Sequence, residues 1–466
     1  MLEEWDVLSM MQSHPSFWNS FPGQLMADKF AARPLQILPH FIARQISSDS
    51  FLGFHIVLMA GCVLRVIGGA WLGNFLFRNK AYAAAFGLLC FVYPADTQQF
   101  EFRTVHIMFS VGLMVFGSAC TVSALTANTA AKRWAALVTS TICSCVAVLI
   151  YEPFITLYLI APLALLSRDG FRSFIRLVIR RKAIVAASLI APLANAAYLF
   201  YAIVLFKSSY QVSASGGSMT GAIVHNLHYL IDSDAYRVFY DAWVSTWWIL
   251  TTQIVHYRFI VFTGIVLLLA LLLLTKRASN AVPLSQTARY VLSGLILVVV
   301  GYLPFMVAES HMVINQRTFM SVAPGASLIV IAVIAQICRR SNATGIVFAA
   351  GFIFFGFVAQ LYQFDKYTRD YTGIVLPYTS MLADQTDPAK QVHLVFDKTG
   401  LGGHLNGMYE SKVRYAAIVR RNQNIGITEL CMDESQTAQL PFSNCTLKDG
   451  NWVVRSSAGI TATYPQ

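Results

Sequence analysis

Side chains able to do chemistry gather in two stretches of this sequence. Residues 1–50 carry Glu3, Glu4, Asp6, His14, Asp28, Lys29, Arg33 and His40, and residues 207–251 carry His225, His228, Asp232, Asp234, Arg237 and Asp241. Carboxylates and imidazoles can move protons, and guanidinium groups bind anions without losing charge. His225 and His228 stand three apart with Asp232 four further on, so they share one helix face in a loosely metal-like spacing. Histidines near a membrane surface more often serve as hydrogen-bonding groups. The tryptophans Trp5, Trp18, Trp243, Trp247 and Trp248 also fit the aromatic belt of a membrane interface.

The elements that must position these residues are apolar. Of 466 residues, 56% are hydrophobic and 12% charged, about half the charge of ordinary soluble domains, which argues against a soluble multidomain enzyme. Apolar runs predict membrane helices over 51–78, 105–127, 134–150, 183–206, 252–275, 288–308, 321–338 and 344–363, with two shorter runs at 81–96 and 152–167. If all ten cross and residues 1–50 lie outside, the cytoplasmic loops receive fifteen basic residues, among them Arg78, Lys80, Arg289 and the cluster Arg168 to Lys182. The longer outer loops receive eight, as the positive-inside rule expects. Of the acidic residues before the tail, only Asp169 then faces the cytoplasm. This topology accounts for the net charge of +11 without a nucleic-acid partner. Met1 is followed by Glu3, Glu4, Trp5 and Asp6 rather than by a cleavable signal peptide, so insertion is expected to rely on the spans themselves or on a helix that this chain does not include. Arg65 lies mid-run, where charge is expensive and needs a partner or a cavity.

From Phe364 the charge density about doubles, marking a domain boundary. The expected architecture is an all-α polytopic membrane protein of about ten transmembrane helices with a small C-terminal α/β extracytoplasmic domain. Its parts are an outer loop (1–50), a helical membrane domain (51–363) and a soluble domain (364–466) that acts as a lid or docking module. Gln391 to Phe396 and Trp452 to Arg455 read as strands. The turn Asp397 to Gly403 is no P-loop, because Lys398 precedes its glycines and no serine or threonine follows them. Asn444-Cys445-Thr446 formally matches a glycosylation sequon. Cys431 and Cys445 stand alone in the polar tail, where a disulfide would close a short loop in an oxidising compartment. The other six cysteines lie in or beside apolar runs, and Cys143 and Cys145 point to different helix faces, against a metal or redox role.

The first hundred residues resemble the GT-C class of polytopic membrane glycosyltransferases. The likeness is carried by Glu3-Glu4-Trp5, Arg33-Pro34-Leu35, Gly53-Phe54-His55 and Tyr93-Pro94 before the outer loop Ala95 to Arg103, and within the class it is greatest to the bacterial branch that decorates O-antigen and other surface glycans. It implies a multi-pass protein of the bacterial inner membrane that moves a sugar from a polyprenyl-phosphate carrier to a glycan acceptor on the outer face. The acidic pair falls on Glu3 and Glu4, glutamates where the class commonly has aspartates. Glu4 is then the expected base, with Glu3 or Asp6 as substitute. Arg33, Arg103 and Arg317 are expected to hold phosphate, joined by Asp28 in substrate binding. Each arginine also has a structural alternative: Arg33 could snorkel, Arg103 could pair with Glu101 or Asp96, and Arg317 could cap a helix. No cofactor or metal is expected, since arginines can neutralise a monophosphate leaving group. The competing readings are a glycan polymerase or ligase, and a transporter or flippase whose path Arg65 and the Glu152-Pro153 kink would line.

Overall fold

The structure, a computed structural model, describes residues 31–47, 52–96, 104–205, 219–229, 236–253, 258–274, 282–307, 318–339 and 341–370, and five short strands between 392 and 465. The chain divides into two units, one formed by residues 21–100 and 104–363, the other containing the strands. Helix α1 (Leu38–Ile46) precedes α2 (Leu52–Phe77), α3 (Lys80–Val92), α4 (Val105–Thr126) and α5 (Ala130–Ile150). A 310 helix (Glu152–Leu159) runs into α6 (Ile160–Asp169), followed by α7 (Phe171–Arg180), α8 (Lys182–Ser188) and α9 (Ile190–Phe200). The remaining helices are α10 (Met219–Tyr229), α11 (Ala242–Gln253), α12 (Arg258–Leu274), α13 (Leu284–Met306), α14 (Phe319–Ile337) and α15 (Asn342–Asp370).

Among the described residues seven helical stretches are long and apolar enough to cross a membrane: Leu52–Phe77, Val105–Thr126, Ala130–Ile150, Lys182–Leu205, Leu284–Met306, Phe319–Ile337 and Ala343–Asp365. They fall on seven of the ten expected spans and make this a multi-pass membrane protein. The other three expected spans have different shapes. The run 252–275 falls on the end of α11 and on α12, and α3 has only 13 residues, about 20 Å of helix. The run 152–167 begins as a 310 helix, with Pro153, which has no N–H to donate, in its first turn. A 310 helix rises about 2.0 Å per residue, so Glu152 to Asp169 reaches roughly 31 Å, near the thickness of a hydrocarbon core.

Contacts within this unit sort the helix ends into two sets. At one end, Tyr290 Oη donates to the Leu76 carbonyl at 2.5 Å, Arg289 Nε to Ser167 at 2.8 Å and Arg181 Nη2 to Ala127 at 3.4 Å. At the other end, the Leu35 amide donates to Leu149 at 3.0 Å, Gln360 Nε2 to Tyr93 at 3.1 Å and Asn226 Nδ2 to Met306 at 2.8 Å. Both short runs therefore extend from one set of helix ends to the other. The basic residues Arg78, Arg168, Arg181 and Arg289 all belong to the first set.

Without water to drive helices together, close approach comes from small residues and buried polar contacts. A Cβ at Gly61 of α2 would stand 2.8 Å from the Met108 carbonyl oxygen, and one at Gly325 of α14 would stand 2.7 Å from that of Gly294. Ser110 Oγ of α4 donates to the Ala147 carbonyl of α5 at 2.6 Å. Between α2 and α3 the turn is made by Arg78, in the left-handed region at φ 51°, and by Asn79, whose side chain accepts from the amides of Ala81 and Tyr82 to start α3.

In the second unit β1 (Val392–Val395) pairs in parallel with β2 (Ile427–Cys431), while β3 (Thr446–Lys448), β4 (Asn451–Arg455) and β5 (Thr461–Pro465) form an antiparallel sheet in that order. Strands β1 and β4 fall where the sequence expects them. The turn 397–403, any pairing of Cys431 with Cys445 and the helices of an α/β domain lie outside the described residues.

Candidate functional site

The segment carrying Arg33-Pro34-Leu35 is pinned to the bundle at the end opposite the basic loops. Leu35 bonds to Leu149 at the end of α5, Tyr198 Oη donates to the Ala31 carbonyl at 2.7 Å, and Ala31 and Ala32 pack with Val148, Leu199 and Ala202. The segment then turns into α1, which crosses the start of α2 at Gly53. A Cβ there would overlap the Ala43 carbonyl, so only glycine permits the crossing.

This anchoring places Arg33 against Glu152, 119 residues away. The guanidinium donates through Nε to Oε2 and through Nη2 to Oε1 at 2.7 Å, a two-pronged pair in which the side chains are 14% and 11% exposed. Arg33 Cζ also lies 4.7 Å from the centre of the Tyr151 ring. Glu152 stands in the first turn of the 310 helix, where a negative charge suits the unpaired amides. Beside the pair, His106 in the first turn of α4 packs against Tyr151 and His40, with ring centroids at 5.9 and 5.4 Å, and its Nε2 lies 3.5 Å from Gln36 Nε2. His40 and His106 are both buried. The cluster thus combines an anion-binding cation, a carboxylate and two imidazoles in a largely dry setting.

A second ion pair stands nearby in the fold. Arg65, whose partner is not readable from sequence, donates through Nη1 to Asp96 Oδ2 at 3.0 Å, and both side chains are 0% exposed. Its other contacts are the Met108 sulfur at 3.8 Å and the Met320 carbonyl at 3.3 Å from Nη2. Gln360 Nε2 holds the chain bearing Asp96 by donating to the carbonyls of Tyr93 and Asp96, the latter at 2.6 Å. Tyr93 Oη donates to the Val238 carbonyl at 3.0 Å. Arg65 is thereby enclosed among α2, α4 and α14.

Beside Pro94 opens a cavity of about 530 Å³, lined by Arg237, Asp241, Ser245, Trp248, Tyr362 and Gln363 among others. It is large enough for a sugar ring, and its lining offers hydrogen-bonding groups of both kinds beside an indole face.

Of the expected site residues, Arg33 is placed, and it stands within this cluster. Glu3, Glu4, Asp6, Asp28, Arg103 and Arg317 lie outside the described residues. His225 is exposed on α10, while the side chain of His228 and all of Asp232 lie outside them. Sequence reasoning passed over His106 and read Glu152 and Asp96 in other roles, Glu152 as part of a transport path and Asp96 as a partner for Arg103. The available signal was that each is a polar residue at the edge of an apolar run, on the side assigned to the exterior.

No protein-family model matches the sequence, and no curated relative does. Two solved structures of ArnT from Cupriavidus metallidurans are similar to the chain at 12% identity. The one bound to undecaprenyl phosphate has a TM-score of 0.40 over 86% of this chain and 76% of that one. The apo state has a TM-score of 0.41 over 91% and 80%. At that distance the likeness assigns neither a fold nor a reaction to this chain.

Proposed function

We propose that the chain is a membrane glycosyltransferase of the GT-C type, with ten spans and its tail outside as a lid or docking domain. It moves a sugar from a polyprenyl-phosphate carrier to an O-antigen-type surface glycan on the outer face of the inner membrane. One observation carries the reading: Arg33-Pro34-Leu35, Gly53-Phe54-His55 and Tyr93-Pro94, the described parts of the resemblance, all lie toward the end of the bundle opposite the basic loops.

In this reading an acceptor hydroxyl attacks the anomeric carbon and gives its proton to Glu4, with Glu3 or Asp6 as substitute. As the new bond to oxygen forms, the bond from the anomeric carbon to the phosphate oxygen breaks, and the electron pair leaves with the polyprenyl phosphate. Arg33, Arg103 and Arg317 take up that negative charge, and Asp28 binds substrate. Glu152 holds Arg33 extended at rest, so an arriving phosphate competes with a carboxylate for a guanidinium already oriented for two-pronged contact.

Deleting the gene and weighing the surface polysaccharide repeat unit tests this, with wild-type and Glu4→Gln complementation alongside. Loss of one sugar per repeat, restored by the wild type alone, is the expected result. Collapse of chain length with an intact repeat would replace the reading with a polymerase or ligase. An unchanged polysaccharide would replace it with transfer to another acceptor or with transport.

A further inference from the structure

At the basic end of the bundle a second pocket, of about 290 Å³, is lined by Leu76, Phe77, Arg78, Arg168, Asp169 and Gln286, among others. Its charges are unbalanced. Arg168 lies over the Phe75 ring at 4.0 Å, and its Nε, though 3.3 Å from Asp169 Oδ1, is buried without a hydrogen-bond partner among the described residues. Arg78 lines the same pocket as a second cation. Arg289 does not relieve the crowding. It braces α6 from the side, donating to the carbonyls of Ser167 at 2.8 Å and Arg168 at 3.4 Å. Arg78 keeps a long cationic side chain at a left-handed position just after α2, where glycine or asparagine is usual.

The depth of this pocket in the bilayer follows from α7. Phe171, Ile175 and Ile179, spaced four apart, are exposed along one face, with Arg172, Arg176 and Arg180 following each of them on another. Such a helix lies in the plane of the membrane surface with its apolar face among the lipid chains. It begins at Gly170, where an added Cβ would stand 3.6 Å from Arg289 Nη1. The arginine pocket therefore sits at the level of the lipid headgroups.

We propose that this pocket binds the phosphate of an anionic lipid headgroup, with Arg78 and Arg168 as its cationic contacts, Gln286 as a further donor and Arg289 as a positioning residue. The site is at the opposite end of the bundle from the proposed reaction and is independent of it.

Native mass spectrometry of the full-length protein, titrated with cardiolipin, with phosphatidylcholine and with inorganic phosphate, tests the proposal. The wild type should retain one cardiolipin in preference to phosphatidylcholine. Arg78→Gly, which suits the left-handed backbone and so should fold, and Arg168→Gln should each weaken retention about fivefold, while Arg172→Gln on α7 leaves it unchanged. Equal retention by Arg78→Gly, Arg168→Gln and the wild type would overturn the proposal. So would an equal loss in Arg172→Gln, which would mean adsorption along α7. Inorganic phosphate binding as tightly as the lipid would overturn the lipid assignment.

Discussion

The two ends of the helical bundle use the same charged residue in opposite ways. Away from the basic loops Arg33 and the mid-helix Arg65 are each matched to a carboxylate distant in sequence, Glu152 and Asp96. At the basic end Arg78 and Arg168 line a pocket in which Asp169 is the one carboxylate among the described residues, Arg289 is spent on backbone carbonyls, and Arg168 Nε has no hydrogen-bond partner among the described residues. A matched pair staples segments together and holds a guanidinium in a fixed direction. Two pocket arginines beside a single described carboxylate leave room for an anion, the basis of the proposed lipid site.

Breaking the buried staple should have the largest effect on stability. Asp96→Asn leaves the Arg65 charge uncompensated in a dry site, a loss of about 3–5 kcal/mol, measured as a lower unfolding temperature and poor yield. Arg65→Met combined with Asp96→Asn should recover much of that loss, because no charge is then stranded. If the single variant is as stable as the wild type, the pair is no staple.

The Arg33 and Glu152 pair is slightly exposed, so its effect should be smaller. A double-mutant cycle with Arg33→Gln and Glu152→Gln should give a coupling of about 1.5–3 kcal/mol in thermal or denaturant unfolding. Coupling near zero would mean that the pair forms without steadying the first segment.

At the basic end the sign reverses. Arg78→Gly removes a side chain from a left-handed position and should raise stability by about 1 kcal/mol, even as it lowers lipid retention. A destabilised Arg78→Gly protein would show that this cation is matched in the fold after all.

Much of the helical frame is legible in the sequence because run length and loop charge are local properties. The seven long spans, strands β1 and β4 and the segregation of the basic loops all follow from them. Pairing is not local: Glu152 meets Arg33 across 119 residues and Asp96 meets Arg65 across 31, and no spacing rule links such positions. Nor does hydropathy distinguish a 310 helix from an α-helix, although that difference lets the short run from Glu152 reach across the bundle. Arg33 was legible as an anion-binding candidate because of its place beside Pro34 and Leu35. Its resting partner became visible only once Leu35 was seen bonded to Leu149.

The most direct test of the proposed sugar transfer is the turnover of purified protein in lipid nanodiscs, supplied with a panel of polyprenyl-phosphate sugars and a membrane glycan acceptor. With Glu4→Gln the expected result is a kcat lower by about 10²–10⁴-fold, at an unfolding temperature and donor KM close to the wild type. A Glu4→Gln protein that transfers sugar at the full rate would contradict the assignment of the base, and a wild type that releases no sugar from any donor would contradict the proposed reaction.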